Sequence, residues 1–202
     1  PLGRRAIHYQ CYKLQKKQDD FSYWAHGLTL VKWSGLKISP PLNLESIWYL
    51  MKHNSSRFEM ISSSVHSQFG LSLTLRFPAH VSPNLAGLIK PIIDGVVAAF
   101  HQHDGTDGEE VSNRLSFGLK KERREIFEYL HDSANATLGK RRLLWPRGKG
   151  VQWNPADDNC VAGELLFGIS NNEFHELSGE LFEVKESSGR LETCYESREP
   201  SY

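Results

Sequence analysis

The chain is poor in cysteine and methionine and has no long apolar run. Its 202 residues include three cysteines, Cys11, Cys160 and Cys194, with no CxxC spacing between them. This fits thiols kept reduced in a cytoplasm better than a disulfide framework or a structural zinc site. No stretch approaches the roughly 18 apolar residues needed to span a bilayer, so no membrane partner is expected. The opening residues carry no apolar segment of the kind that makes a secretory leader. Net charge is missing too: 24 Lys and Arg balance 24 Asp and Glu. There is therefore no global basic field to gather nucleic acid. Finally, there is no G-x-S-x-G elbow, no P-loop and no dinucleotide G-x-G-x-x-G, and the hydroxyl-rich stretch Ser62 to Ser64 near His66 has the composition of a loop. Esterase-type and nucleotide-cradling chemistries are set aside on that ground.

What remains is the composition of an ordinary globular domain, long enough to bury a core without staples. The expected organisation is one domain over residues 4–185, with a polar, acidic tail over 186–202. Pro1-Leu2-Gly3 reads as a tag remnant, and the chain as part of a larger cytoplasmic, microbial protein.

The stretch from Ser82 to Glu110 organises the rest. Ser82-Pro83 has N-cap and first-turn chemistry. Leu85, Leu88, Ile89, Ile92, Ile93, Val96, Val97 and Phe100 then recur at helical spacing. A central helix over 83–102 is expected, kinked or split at Pro91, which cannot donate to the helix ladder. Asn43 caps a second helix carrying Leu44, Ile47, Trp48 and Met51. A third is expected over Leu119 to Asp132, after a Gly- and acid-rich loop from Gly105 to Glu110.

Ala6 to Leu14 and Tyr23 to Trp33 read as a long hairpin, the second strand ending at Ser34-Gly35. Phe58 to Ile61 reads as a short strand. Leu71 to Phe77 alternates cleanly, with Leu71, Leu73, Leu75 and Phe77 inward. Val161 to Phe167 and Glu180 to Val184 read as closing strands or, for the first, a short helix, and 145–158 reads as an irregular loop anchored by aromatics. The expected fold class is α+β, a mostly antiparallel sheet with helices on one face around the central helix.

Three constellations could carry chemistry. His101, His103, Asp104 and Asp107, with Glu109 and Glu110 behind them, could hold a divalent metal; helix-end and turn chemistry explains the same residues without one. Asp157 and Asp158, with Glu164, could complete a Mg²⁺ site for a metal-dependent nuclease or phosphohydrolase, but Asn-Pro-Ala-Asp-Asp is also ordinary turn chemistry. Lys140, Arg141, Arg142, Trp145, Arg147 and Lys149 form a basic stretch with an aromatic and no acid among them, suited to phosphates and bases of DNA or RNA. Lys120, Lys121, Arg123 and Arg124 precede it, but Glu122, Glu125 and Glu128 alternate with them, as on an ion-paired helix face. The leading expectation is a non-catalytic or regulatory domain that binds nucleic acid or another domain of its parent protein. A protein-interaction module anchored by Trp24, Trp33 and Trp48 is the further alternative.

The segment Leu88-Ile89-Lys90-Pro91-Ile92-Ile93-Asp94-Gly95-Val96 resembles the helix of RusA-type Holliday-junction resolvases, with Lys90 and Asp94 matching that pattern's Lys and Asp. The resemblance implies a small α/β dimer that cuts branched DNA with Mg²⁺ held by aspartates. The acidic residues that the family places just before the helix fall on Val81 to Gly87, where this chain has no carboxylate. On this resemblance, the usual metal site would be gone, or rebuilt from the loop between Asp104 and Glu110. Separately, on a buried helix Asp94 is expected to pair with Lys90, one turn earlier.

Overall fold

The computed structural model describes residues 11–12, 23–61, 68–155 and 157–187. The alternating segment becomes strand β4 (Phe69–Pro78), with Leu71, Leu73, Leu75 and Phe77 buried as expected. Ahead of it come β1 (Cys11–Tyr12), β2 (Tyr23–Ile38), helix α1 (Leu44–His53) and β3 (Glu59–Met60). After it come α2 (Leu85–Ala99), β5 (Gln102–His103), α3 (Gly108–Leu119) and α4 (Arg123–Leu130). The chain continues with β6 (Lys140–Arg141), β7 (Leu144–Arg147) and β8 (Gly150–Trp153), and closes with β9 (Cys160–Ser170) and β10 (His175–Ser187).

The fold class is α+β. The main sheet has the order β1-β9-β4-β10-β2-β3, and every pairing in it is antiparallel except β4 with β9. A parallel neighbour needs a long crossover, and here everything from α2 to β8 supplies it. Among the described residues, the expected pairing of the first two strands is not seen: β1 pairs with β9 and β2 with β10, on opposite sides of the sheet. Of Ala6 to Leu14, only residues 11 and 12 lie within the described set.

Strand β2 also does not end at Ser34-Gly35. The register against β10 shifts between Leu177 and Gly179, and the Gly35 N–H donates to Ser178 Oγ at 3.0 Å. The dipeptide is a bulge inside a long strand, which is the other use of a turn-like residue in a sheet.

The Leu71 side of the sheet and the apolar sides of α1 and α2 enclose one core. Asn43 caps α1, its Oδ1 accepting the Ser46 N–H at 2.9 Å. The cap of α2 is Asn84 rather than Ser82, accepting the Gly87 N–H at 3.4 Å. Pro91 does not split α2, because Ile92, Val96 and Val97 immediately beyond it are wholly buried and packing holds the turn. Gly95 lets α1 and α2 approach: a Cβ there would lie 2.7 Å from Ile47 Cβ and 2.8 Å from Leu44 O. Trp33 and Trp48 are core residues, Trp33 against Phe58 and Phe100 and Trp48 against Trp153, so neither is a surface anchor. The side chain of Trp24 lies outside those described.

The expected loop from Gly105 to Glu110 contains the start of α3, which composition concealed. Gly108, Ser112, Asn113, Ser116 and Gly118 are weak helix formers, but Val111 and Leu115 are buried, and Ser112 Oγ donates to Gly108 O at 2.6 Å. Packing overrides propensity there. The third expected helix is correspondingly shorter, α4, with Ile126 and Leu130 inward. Among the described residues, no helix is long and apolar enough to cross a membrane.

Candidate nucleic-acid interface

The His-x-His-Asp stretch leaves the end of α2 as strand β5, parallel to β6. His103 is fully buried; its Nε2 lies 2.8 Å from Thr106 O, and its Nδ1 accepts the Leu143 N–H at 3.1 Å. The proton therefore sits on Nε2, and both ring nitrogens are used by backbone groups. Burial, first of all, pushes its pKa down, so the ring is neutral. A ring in that state has no lone pair left for a metal. Its work is to tie the loop after β5 to the entry of β7.

His101 is also buried. Its Nδ1 lies 3.3 Å from Gly139 O, while Nε2 is buried with no hydrogen-bond partner. Burial depresses its pKa to about 4.

The remaining carboxylates proposed as ligands are turned to other uses. Asp104 Oδ1 accepts the Thr106 N–H at 2.8 Å, an Asx turn. Asp107 pairs with Arg142 at 2.5 Å, and Asp158 with Arg141 at 3.2 Å. Glu109 pairs with Arg123 and Glu110 with Arg114. Asp157 lies in a short 3₁₀ turn, and its side chain is outside those described. Among the described residues, no group of three or more His, Cys, Asp or Glu is placed to share a metal ion. Residues considered separately, as metal ligands and as nucleic-acid contacts, are thus ion-paired with one another.

The basic stretch divides accordingly. Arg141 and Arg142 are committed to Asp158 and Asp107. Arg147 and Lys149 lie at the exposed turn of a hairpin made by β7 and β8, in a region expected to be an irregular loop. Pro146 obscured the strand pattern, but it is tolerated because both strands of a two-stranded ribbon are edges. Gly148, at φ 54°, makes the tight turn, a conformation that glycine adopts without steric cost.

Pairing of Leu144 with Trp153 and of Pro146 with Val151 gives the hairpin an inner face. There, Leu144 is in the core, and Val151 and Trp153 pack against it. The outer face carries Trp145 opposite Gln152, then Arg147. The Arg142 guanidinium sits 5.2 Å from the Trp145 ring centroid, and Arg147 donates to Gln152 Oε1 at 3.3 Å. Unlike Trp153, Trp145 is not among the residues packed on the core.

Arg114, from α3, holds the turn: its guanidinium donates to Gly148 O at 2.5 Å and to Gly150 O at 3.1 Å. Nothing in the local sequence marks Arg114 or Gln152. The partners of Arg114 lie more than thirty residues along the chain, and Gln152 meets Trp145 and Arg147 across the hairpin, so folding brings both to the site.

Searches against protein-family models, curated proteins and solved structures find no match to this chain.

Proposed function

We propose that this chain is a nucleic-acid-binding domain that contacts its ligand through the outer face and turn of the β7–β8 hairpin. The observation that carries the reading is the division of the basic stretch. Arg147 and Lys149, at the hairpin turn, are exposed and make no ion pair with a described residue, and the same holds for Lys140 on β6, whereas Arg141 and Arg142 are spent on carboxylates. Unpaired cations on a held turn can displace counterions from a phosphate chain; paired ones contribute little. The metal-dependent alternative draws no support from the ligand geometry.

Fluorescence anisotropy with labelled oligonucleotides tests the reading. Replacing Arg147 and Lys149 together with Gln should weaken binding. It should also reduce the slope of log K against log salt by about 1 per charge removed. Replacing Arg123 and Arg124, which are paired with Glu109 and Glu128, should change little. Equal affinity of the Arg147/Lys149 variant and the parent chain, at all salt concentrations, would overturn the proposal.

A further inference from the structure

Building on that reading, we infer that the ligand is single-stranded, and that one of its bases stacks on Trp145. Three observations converge. The first is the position of the ring. Trp145 lies on the outer face of the ribbon and is left off the core, while its strand neighbour Leu144 and the facing Trp153 take the inner side. The indole is half-buried, so its position is fixed by its neighbours while part of the ring stays in contact with solvent, as amphipathic rings do where they meet a ligand.

The second is its setting. Arg142 lies over the ring at 5.2 Å, and Asp107 fixes that guanidinium at 2.5 Å, so the platform is oriented before any ligand arrives. Gln152 stands opposite Trp145, its Oε1 engaged by Arg147 and its amide nitrogen available to donate to a base edge or phosphate.

The third is charge. Duplex binding rests on neutralising many phosphates, about 6–10 in a typical site. This face offers Arg147 and Lys149, with Lys140 farther back, and it is flanked by Asp107, Glu110 and Asp158. The chain as a whole has no net charge. The electrostatic contribution is therefore small, and stacking must supply much of the affinity. A stacked base is available only where the strand is unpaired.

The test compares oligo-dT, oligo-rU and a mixed-sequence DNA duplex against the full chain, Trp145→Leu, Trp145→Phe and the Arg147/Lys149 double Gln variant. Far-ultraviolet circular dichroism confirms folding of each. The expected result is tighter binding of single strands than of duplex. Trp145→Leu should lose on the order of 10-fold for single strands, Trp145→Phe should keep most of the affinity, and neither should alter duplex binding. Comparing oligo-dT with oligo-rU separates DNA from RNA without bearing on the inference. If the duplex binds as tightly and Trp145→Leu is neutral while the double Gln variant fails, the inference falls and the phosphate-binding reading stands. If no nucleic acid binds the full chain, both fall.

Discussion

The carboxylate of Asp107 and the guanidinium of Arg142 lie 2.5 Å apart, joining the first residue before α3 to the strand entry beneath Trp145. Asp107 holds this position with φ 56°, in the left-handed region, which Asp tolerates better than most residues. One contact thus ties the residue before a helix to the hairpin, orients a cation and removes that cation from the free positive charge of the surface.

Asp107→Asn keeps the backbone tolerance and deletes the charge. Both side chains are about a third exposed, 39% and 34%, so the stability cost should be no more than about 1 kcal/mol. Because Arg142 is released, duplex affinity should rise a few-fold at low salt, and the gain should disappear as salt increases. Single-strand affinity should not rise, since the contact that fixes Arg142 over Trp145 is lost. Urea denaturation and anisotropy read the two effects. An equal gain for single strands would show that the charge of Arg142, rather than its orientation, matters at this face.

Lys52 illustrates the opposite use of charge. Its ammonium is buried on α1, 3.6 Å from Asp132 Oδ2, with no hydrogen-bond partner. Burial lowers its pKa from 10.5 to about 8. Since the folded value lies below the unfolded one, the unfolded chain holds more protons between pH 8 and 10.5, and stability rises with pH across that window. At pH 7 the full penalty of the buried charge is present. Asp132 keeps two other donors, the Ala134 N–H at 3.0 Å and Asn135 Nδ2 at 2.8 Å. Lys52→Met should therefore stabilise the fold at pH 7, and by less at pH 10. A less stable variant at pH 7 would mean that the Lys52–Asp132 attraction exceeds the desolvation cost.

His101 contributes to the acid side of the stability curve, together with His103 and His175, whose pKa values burial also lowers. Burial places the folded pKa of His101 near 4 against 6.5 for a free ring. The unfolded chain thus gains a proton that the folded chain refuses, and stability falls as pH drops from 6.5 towards 4. The full loss is on the order of 3 kcal/mol. His101→Asn retains a donor for Gly139 O and removes the titration, so its stability should decline less over that range. Chemical denaturation at several pH values gives both curves, and parallel slopes would remove His101 from the account.

Local pattern was legible wherever a segment's own side chains decide its state. The alternation of Leu71, Leu73, Leu75 and Phe77 marks a half-buried strand, and the Asn43 cap with Ile47, Trp48 and Met51 marks α1. The Asp94–Lys90 pair, one turn apart at 3.1 Å, was legible for the same reason. Pro146 and the small residues of α3 mislead because propensity is weak beside packing: a hairpin and a helix form there once Trp153, Val111 and Leu115 find the core.

The apolar faces, the class of fold and the location of the basic stretch are readable from residue type and the spacing of a few positions. Which strands are neighbours, which cations are neutralised and which tryptophan lies off the core follow from the folded chain alone. Those outcomes depend on groups far apart in the chain. The Asp107–Arg142 pair spans 35 positions and the Arg114–Gly148 contact 34. Local spacing carries no information about such contacts until the crossover from β4 to β9 folds them together.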